Sequence, residues 1–177
     1  MSNTSGVVNV VVAGLGGQGA IKASDILSDA AFEAGRDVKK SEIHGMSQRG
    51  GSVTSDVRFG DVVLSPMVTA GEADYLLVLD STQVENNQYL LADDGVLIAP
   101  DRFLEAGQSL KSLDADASSP LNSRSFNVAM LGVLSAYVDI PDECWAKAIQ
   151  ANLPAKVHEQ NFQVFALGKE RGKQAKG

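Results

Sequence analysis

Val7 to Ala13 form a near-continuous β-branched run that stops at Gly14, and from Ala20 the apolar spacing turns helical. A strand that reads as apolar on both faces belongs inside a parallel sheet covered on each side, because a half-exposed strand would alternate. Ala23, Leu27, Ala30 and Ala34 then share one helical stripe, small enough for close packing on a sheet, and Gly35 is placed to end the helix. Val38 to Ile43 is the next strand. The first 43 residues therefore predict one βαβ unit whose first turn is Gly14-Leu15-Gly16-Gly17-Gln18-Gly19.

Further along, Val53, Val57 and Phe59 alternate with Thr54, Asp56 and Arg58, which predicts an antiparallel strand, and Gly60-Asp61 predicts a hairpin turn before Val62 to Leu64. Tyr75 to Leu79 restarts a buried strand. Thr82 and Glu85 have capping-box spacing for a helix that Gly95 ends, followed by a strand over Val96 to Ala99 and a stop at Pro100. Gly107 to Ser125 is expected to be irregular, with a short strand near Ser109 to Leu113. Val128 to Val138 is apolar nearly all round and predicts a helix buried on several sides. Two more helices are expected over Asp142 to Asn152 and Ala155 to Gly168, with Lys169 to Gly177 as a frayed tail. The predicted class is α/β: a three-layer, Rossmann-like, mostly parallel sheet with an inserted antiparallel hairpin and a helical C-terminal part. With 177 residues and no long linker, one domain with its core over about residues 7 to 168 is expected.

The residues from Ser41 to Val53 read SEIHGMSQRGGSV. Gly45, Gly50 and Gly51 remove side chains around the donors Gln48 and Arg49, so close approach of another group to this backbone is expected. Flanked by two strands, the loop should emerge from a sheet end, where ligands dock in open α/β folds. Arg49 can offer a planar fork to a carboxylate or phosphate; a structural ion pair with Glu42 or Asp56 is the competing reading. His44 is a weaker candidate, since a lone histidine is more often a hydrogen-bonded structural residue.

The glycine turn has the strand-turn-helix setting of a dinucleotide fingerprint, and Glu42, 23 residues after Gly19, could be the acid that holds a ribose. The helix N-terminus there would favour an anion. Two other readings stand beside that one: glycines required only for a tight turn and close helix packing, or a loop that faces another subunit or its ligand.

Composition narrows the partners. A net charge of -7 and a pI near 4.7 argue against nucleic acid or an anionic membrane as the main partner. A single cysteine, Cys144, excludes an intrachain disulfide framework and any iron-sulfur or zinc site built from this chain's thiolates alone; beside Trp145 it reads as a small buried apolar residue. His158 is far from His44, so no metal-ligand spacing is visible. Ser47, Ser52 and Ser55 lack a nucleophile elbow. There is no signal-type N-terminus and no apolar run of about 18 residues, so a soluble, cytoplasmic protein is expected.

Taken together, GLGGQG, SEIHGMSQRGGSVTSDVRFG, Ser65-Pro66, GEADYLLVLD from Gly71 to Asp80, Asn127, and Asn161-Phe162-x-x-Phe165-x-x-Gly168 resemble the gamma-type subunit of 2-oxoacid:ferredoxin oxidoreductases. The chain is most similar to the indolepyruvate branch of that family, whose small (beta) subunit carries His-Gly ahead of the QRGG core. The resemblance spans about residues 7 to 168. It implies a subunit that is inactive alone and belongs to an enzyme that decarboxylates a 2-oxoacid on thiamine diphosphate, passes electrons through [4Fe-4S] clusters to ferredoxin and releases an acyl-CoA. The large partner would hold thiamine diphosphate, magnesium and the clusters. This chain would bind none of them and would pack near the region that CoA, a co-substrate of the complex, reaches; it would meet ferredoxin only indirectly. Gly14, Gly16, Gly17, Gln18, Gly19, Gln48, Arg49, Gly50 and Gly51 are the expected cofactor-facing residues, with His44 and Arg49 as the catalytic candidates and no metal site. The alternatives are a free-standing dinucleotide-binding domain and a non-catalytic scaffold.

Overall fold

The computed structural model describes residues 6–45 and 51–177. Five strands, β1 (Val7–Leu15), β2 (Asp37–His44), β3 (Ser52–Gly60), β4 (Ala73–Val78) and β5 (Leu91–Ile98), lie in the order β2-β3-β1-β4-β5. β3 pairs antiparallel with both β1 and β2, while β1, β4 and β5 pair parallel. β1 and β2 thus run the same way, and β3 alone is reversed. The expected sheet with an inserted antiparallel hairpin is present.

Its details differ from the sequence expectation. The hairpin is β2-β3, joined across the SEIHGMSQRGGSV loop, and Gly60-Asp61 is not a hairpin turn: Gly60 ends β3, and no strand follows before β4. Residues 61–68 instead run over one sheet face, held by side chains. The Asp37 carboxylate accepts the Val63 N–H at 2.8 Å, Arg58 Nη1 donates to the Ser65 carbonyl at 2.7 Å, and Asp56 accepts the Val68 N–H at 2.9 Å. Period-2 patterning around a turn signal could not distinguish this strapped segment from a strand, because its polar ties come from distant residues.

α1 (Ala20–Glu33) follows β1 and buries Ala23, Ile26, Leu27 and Ala30 against the sheet. It ends as expected, with Gly35 at φ 81° and its N–H donating to the Phe32 carbonyl at 2.9 Å. α2 (Gln83–Asn87) is only five residues long and leads through a short 3-10 turn into β5. The longer helix expected to end at Gly95 is not formed. Gly95 sits inside β5, beside the register shift between Ala73 and Tyr75, where an added Cβ would stand 2.7 Å from the Ala73 carbonyl. Close backbone approach, not helix termination, explains that glycine. Thr82 makes no side-chain cap; Asp80 Oδ1 accepts its N–H at 3.0 Å and its hydroxyl at 2.6 Å. The strand expected near Ser109 to Leu113 is a 3-10 helix, Leu110–Ala115.

α3 (Phe126–Ser135) is buried at every position, as its all-round apolar pattern predicts. α4 (Asp142–Asn152) packs on α1, and α5 (His158–Lys176) crosses α3. α5 does not stop at Gly168. Its residues 169–176, expected to fray, stay helical, because Gly168 and Gly172 face the α3 backbone. The main core lies between the sheet and α1, α3, α4 and α5, and a smaller cluster including Val11, Ala13, Leu76 and Val78 fills the face under α2 and the 61–68 segment.

Candidate functional site

The carboxyl ends of β1 and β4 and both ends of the β2-β3 connection converge on one edge. β1 ends opposite the start of β3, with Leu15 paired to Ser52. There the Gly16 N–H donates to the Gly51 carbonyl at 2.9 Å, and the Gly45 N–H donates to the Ser52 carbonyl at 2.7 Å. The two glycine-rich segments are therefore hydrogen-bonded to each other. Gln48, Arg49 and Gly50 lie outside the described residues.

Within the first turn, Gly17 and Gly19 take φ 88° and 83°, which side chains with a Cβ resist. Gly19 precedes α1 in a left-handed conformation, and no side chain caps the helix. A Cβ on Gly19 would stand 2.5 Å from Asn127 Nδ2, the amide that donates to the Gly19 carbonyl at 3.2 Å. Gln18 folds back over the turn: its Oε1 accepts the Leu15 N–H at 2.8 Å and its Nε2 donates to Asp80 Oδ2 at 2.7 Å. Burial pushes the Asp80 carboxyl up, but hydrogen bonds from Thr82 and Gln18 outweigh it and hold the group below its ordinary value, so it is ionised at neutral pH. Gly14 is equally enclosed, since a Cβ there would meet Gln18 Oε1 and the Leu79 Cβ at 3.3 Å. Of the expected cofactor-facing residues in this turn, Gly14, Gly16 and Gln18 are occupied by internal partners, and Gly17, Gln18 and Gly19 line a cavity.

That cavity, about 850 Å³, opens between the glycine turn, Leu79 to Ser81, the Pro100 to Lys111 segment, Arg124 and Asn127. Its lining is mixed, with Leu79 and Leu104 as buried apolar groups and Lys111, Arg124, Asp101 and Glu105 as charged ones. Sequence reasoning missed most of this site. Asp80 enters the sequence reading only as the last residue of GEADYLLVLD, and Lys111 and Arg124 lie in a stretch whose position depends on tertiary contacts that no local pattern encodes.

Two candidates fall away from the turn. Glu42 cannot serve as the ribose acid of a dinucleotide site, because β3 lies between β1 and β2. Its carboxylate instead meets Lys40 Nζ at 2.6 Å, and this hydrogen bond is the main reason its pKa sits below the ordinary value. Lys40 also bonds Asp25 on α1. His44 ends the outer strand, largely exposed, with Nε2 3.5 Å from Glu42 Oε2. Among the described residues, no group of three or more His, Cys, Asp or Glu side chains could hold a metal ion, and no helix is long and apolar enough to cross a membrane.

Comparison with known proteins agrees with this architecture. The family model described as "Pyruvate ferredoxin/flavodoxin oxidoreductase" matches residues 9–171. Indolepyruvate oxidoreductase subunit IorB of Thermococcus kodakarensis is 30% identical, over 96% of this chain and 98% of its own length. The gamma subunit of a keto/oxoacid ferredoxin oxidoreductase from Geobacter sulfurreducens superposes with a TM-score of 0.74 at 25% identity, covering 93% of this chain and 98% of that one. In the Magnetococcus marinus 2-oxoglutarate:ferredoxin oxidoreductase, solved with 2-oxoglutarate, coenzyme A and succinyl-CoA bound, the same fold covers 95% of this chain but 31% of the longer one, at a TM-score of 0.79 and 19% identity. The chain belongs to the pyruvate ferredoxin/flavodoxin oxidoreductase family and is a gamma-type subunit of a 2-oxoacid:ferredoxin oxidoreductase.

Proposed function

We propose that this chain is the small, cluster-free subunit of an indolepyruvate-type ferredoxin oxidoreductase, inactive alone, which presents the convergent glycine loops to a large thiamine-bearing subunit and helps shape the region that CoA enters. The observation that carries this reading is the hydrogen-bonded meeting of the two glycine loops at the carboxyl end of the sheet, beside a cavity. Full-length likeness to an indolepyruvate oxidoreductase subunit supports the aryl 2-oxoacid. The chain's own residues do not fit thiamine diphosphate or a cluster. They include no G-D-G motif with a following Asn to hold a magnesium diphosphate, and one buried cysteine. Those groups belong to the partner in this reading, and no step of the chemistry runs through this chain's side chains unless Arg49 or His44 reaches the substrate. CoA fits better. Lys111 and Arg124 offer cations to its phosphates in the wall of a cavity of about 850 Å³ that Asp80, Asp101 and Glu105 also border, the glycine turn contributing only the uncharged backbone of Gly17 and Gly19, and Gln48, Arg49, Gly50 and Gly51 are the further candidates from the sequence. In this reading the complex works in the cytoplasm, which the reducing compartment expected for a chain with one cysteine supports.

The experiment is reconstitution with the large subunit and measurement of 2-oxoacid-dependent viologen reduction. Indolepyruvate should outperform pyruvate and 2-oxoglutarate, turnover should require CoA, and the small subunit alone should give no signal. Arg49→Lys keeps the charge and loses the planar fork. If Arg49 grips an anion in a desolvated place, the loss should be roughly 1.5 to 3 kcal/mol, about 10- to 150-fold in turnover or CoA affinity. Turnover by the small subunit alone would sink the subunit assignment, and a preference for pyruvate would sink the indolepyruvate assignment.

A further inference from the structure

The glycine turn has the sequence of a nucleotide fingerprint, yet its hydrogen bonds are spent on the protein. Gly16 donates to the Gly51 carbonyl at 2.9 Å, on the far side of the β2-β3 connection. Gln18 links the Leu15 N–H to the Asp80 carboxylate, at 2.8 and 2.7 Å, and Asp80 is itself fixed by the Thr82 N–H and hydroxyl. A bond between a carboxamide and a carboxylate is charge-assisted and directional, so it sets the orientation of the turn. The chain of contacts thus runs from Asp80, just past β4, through the turn after β1, to Gly51, the residue immediately before β3.

We infer that Gln18 and Asp80 are positioning residues that act through Gly16 and Gly51 to set the base of that loop, making the glycine turn a brace and not a phosphate cradle. Anion binding at this turn is also opposed by Asp80, whose ionised carboxylate lies within one hydrogen bond of Gln18. The inference rests on the functional reading above only for what the loop does in the complex. The brace itself is a property of this chain.

The test exchanges the two groups. Gln18→Glu leaves an oxygen to accept the Leu15 N–H but sets a carboxylate against Asp80, breaking only the bridge. Asp80→Asn added to Gln18→Glu restores an amide-carboxylate pair in the reverse sense, while its amide oxygen still accepts from Thr82. Hydrogen exchange in the full chain is expected to speed at least tenfold at the Gly16 and Gly45 amides in Gln18→Glu, with the α3 and α5 amides unchanged. The double variant should recover most of that protection. In the reconstituted complex, kcat should fall in the single variant and recover in the double one. Unchanged exchange at Gly16 and Gly45 would overturn the inference. So would faster exchange throughout the chain without recovery, which would make the pair an ordinary stability element, or altered exchange with unaltered kcat. Exchange is read on the chain alone, so absence of indolepyruvate turnover in the native complex would count against the proposed function while the brace stood or fell on its own readout.

Discussion

Gly19 meets two demands that a single methyl group would violate. Its φ of 83° is left-handed, and its missing Cβ leaves room for the Asn127 amide that reaches its carbonyl. Left-handed backbone costs an L-residue about 1 to 2 kcal/mol before any crowding is added. Gly19→Ala should therefore lower stability by at least that much, and the melting temperature by about 2 to 4 °C per kcal/mol for a chain of this size. Gly17→Ala, with nothing near its Cβ position, isolates the conformational part and should cost less. Thermal denaturation of the two variants side by side checks the difference; equal losses would remove any role for Asn127. The requirement for glycine was legible in GLGGQG, and so was the helix that follows. The identity of the group pressing on Gly19 was not, since Asn127 arrives from a helix more than a hundred residues later.

At the scale of elements, the crossing of α3 and α5 is set by what three glycines lack. A Cβ on Gly132 would stand 2.2 Å from the Phe165 carbonyl, one on Gly172 would stand 2.5 Å from the Val133 carbonyl, and one on Gly168 would overlap the Ala129 carbonyl. These obstacles are backbone atoms and cannot rotate aside. Helix propensity alone makes Gly168→Ala stabilising by about 1 kcal/mol. The crossing predicts the opposite sign, a loss of about 1 to 3 kcal/mol or more as the helices are forced apart. Chemical denaturation of Gly168→Ala decides between them, and increased stability would show that the helices separate freely. The same crossing shows why the end of α5 was misjudged from sequence. A glycine late in a helical pattern is the usual stop signal, and only the partner helix reveals that Gly168 and Gly172 are there for contact. The strands were more legible because β1, β4 and the alternating β3 carry their burial in their own composition. The order of the strands was not, because the alternation of β3 fixes its faces and says nothing about which neighbour it chooses.

For the molecule as a whole, buried and paired carboxylates give opposite responses to pH. Burial raises the Asp56 pKa above its ordinary value, despite the Val68 N–H and the nearby Arg58. The unfolded chain then releases that proton first, so this group's contribution to stability falls as pH rises from the unfolded value through the folded one. Asp80 and Glu42 behave in the reverse way: their contributions are complete above the unfolded values and are lost as pH falls through the lowered folded ones. Asp56→Asn retains an oxygen for the Val68 N–H and removes the buried charge. Its melting temperature relative to the native chain should be higher at pH 7 than at pH 4, and a difference independent of pH would contradict the burial argument. One feature of the sheet also bears on how the molecule comes into being. β1 lies at the centre, yet it precedes in the chain both strands that flank it. During synthesis its apolar Val7 to Ala13 run leaves the ribosome with neither edge covered, and it must wait for β3 and then β4 while only α1 and the non-adjacent β2 are at hand. Non-local pairing of this kind is slow to form and leaves strand edges open to other chains. Yield in a cell should therefore depend on how quickly translation delivers β3, and a pause placed between α1 and β3 should send more of the product into aggregates than the same pause placed after β5.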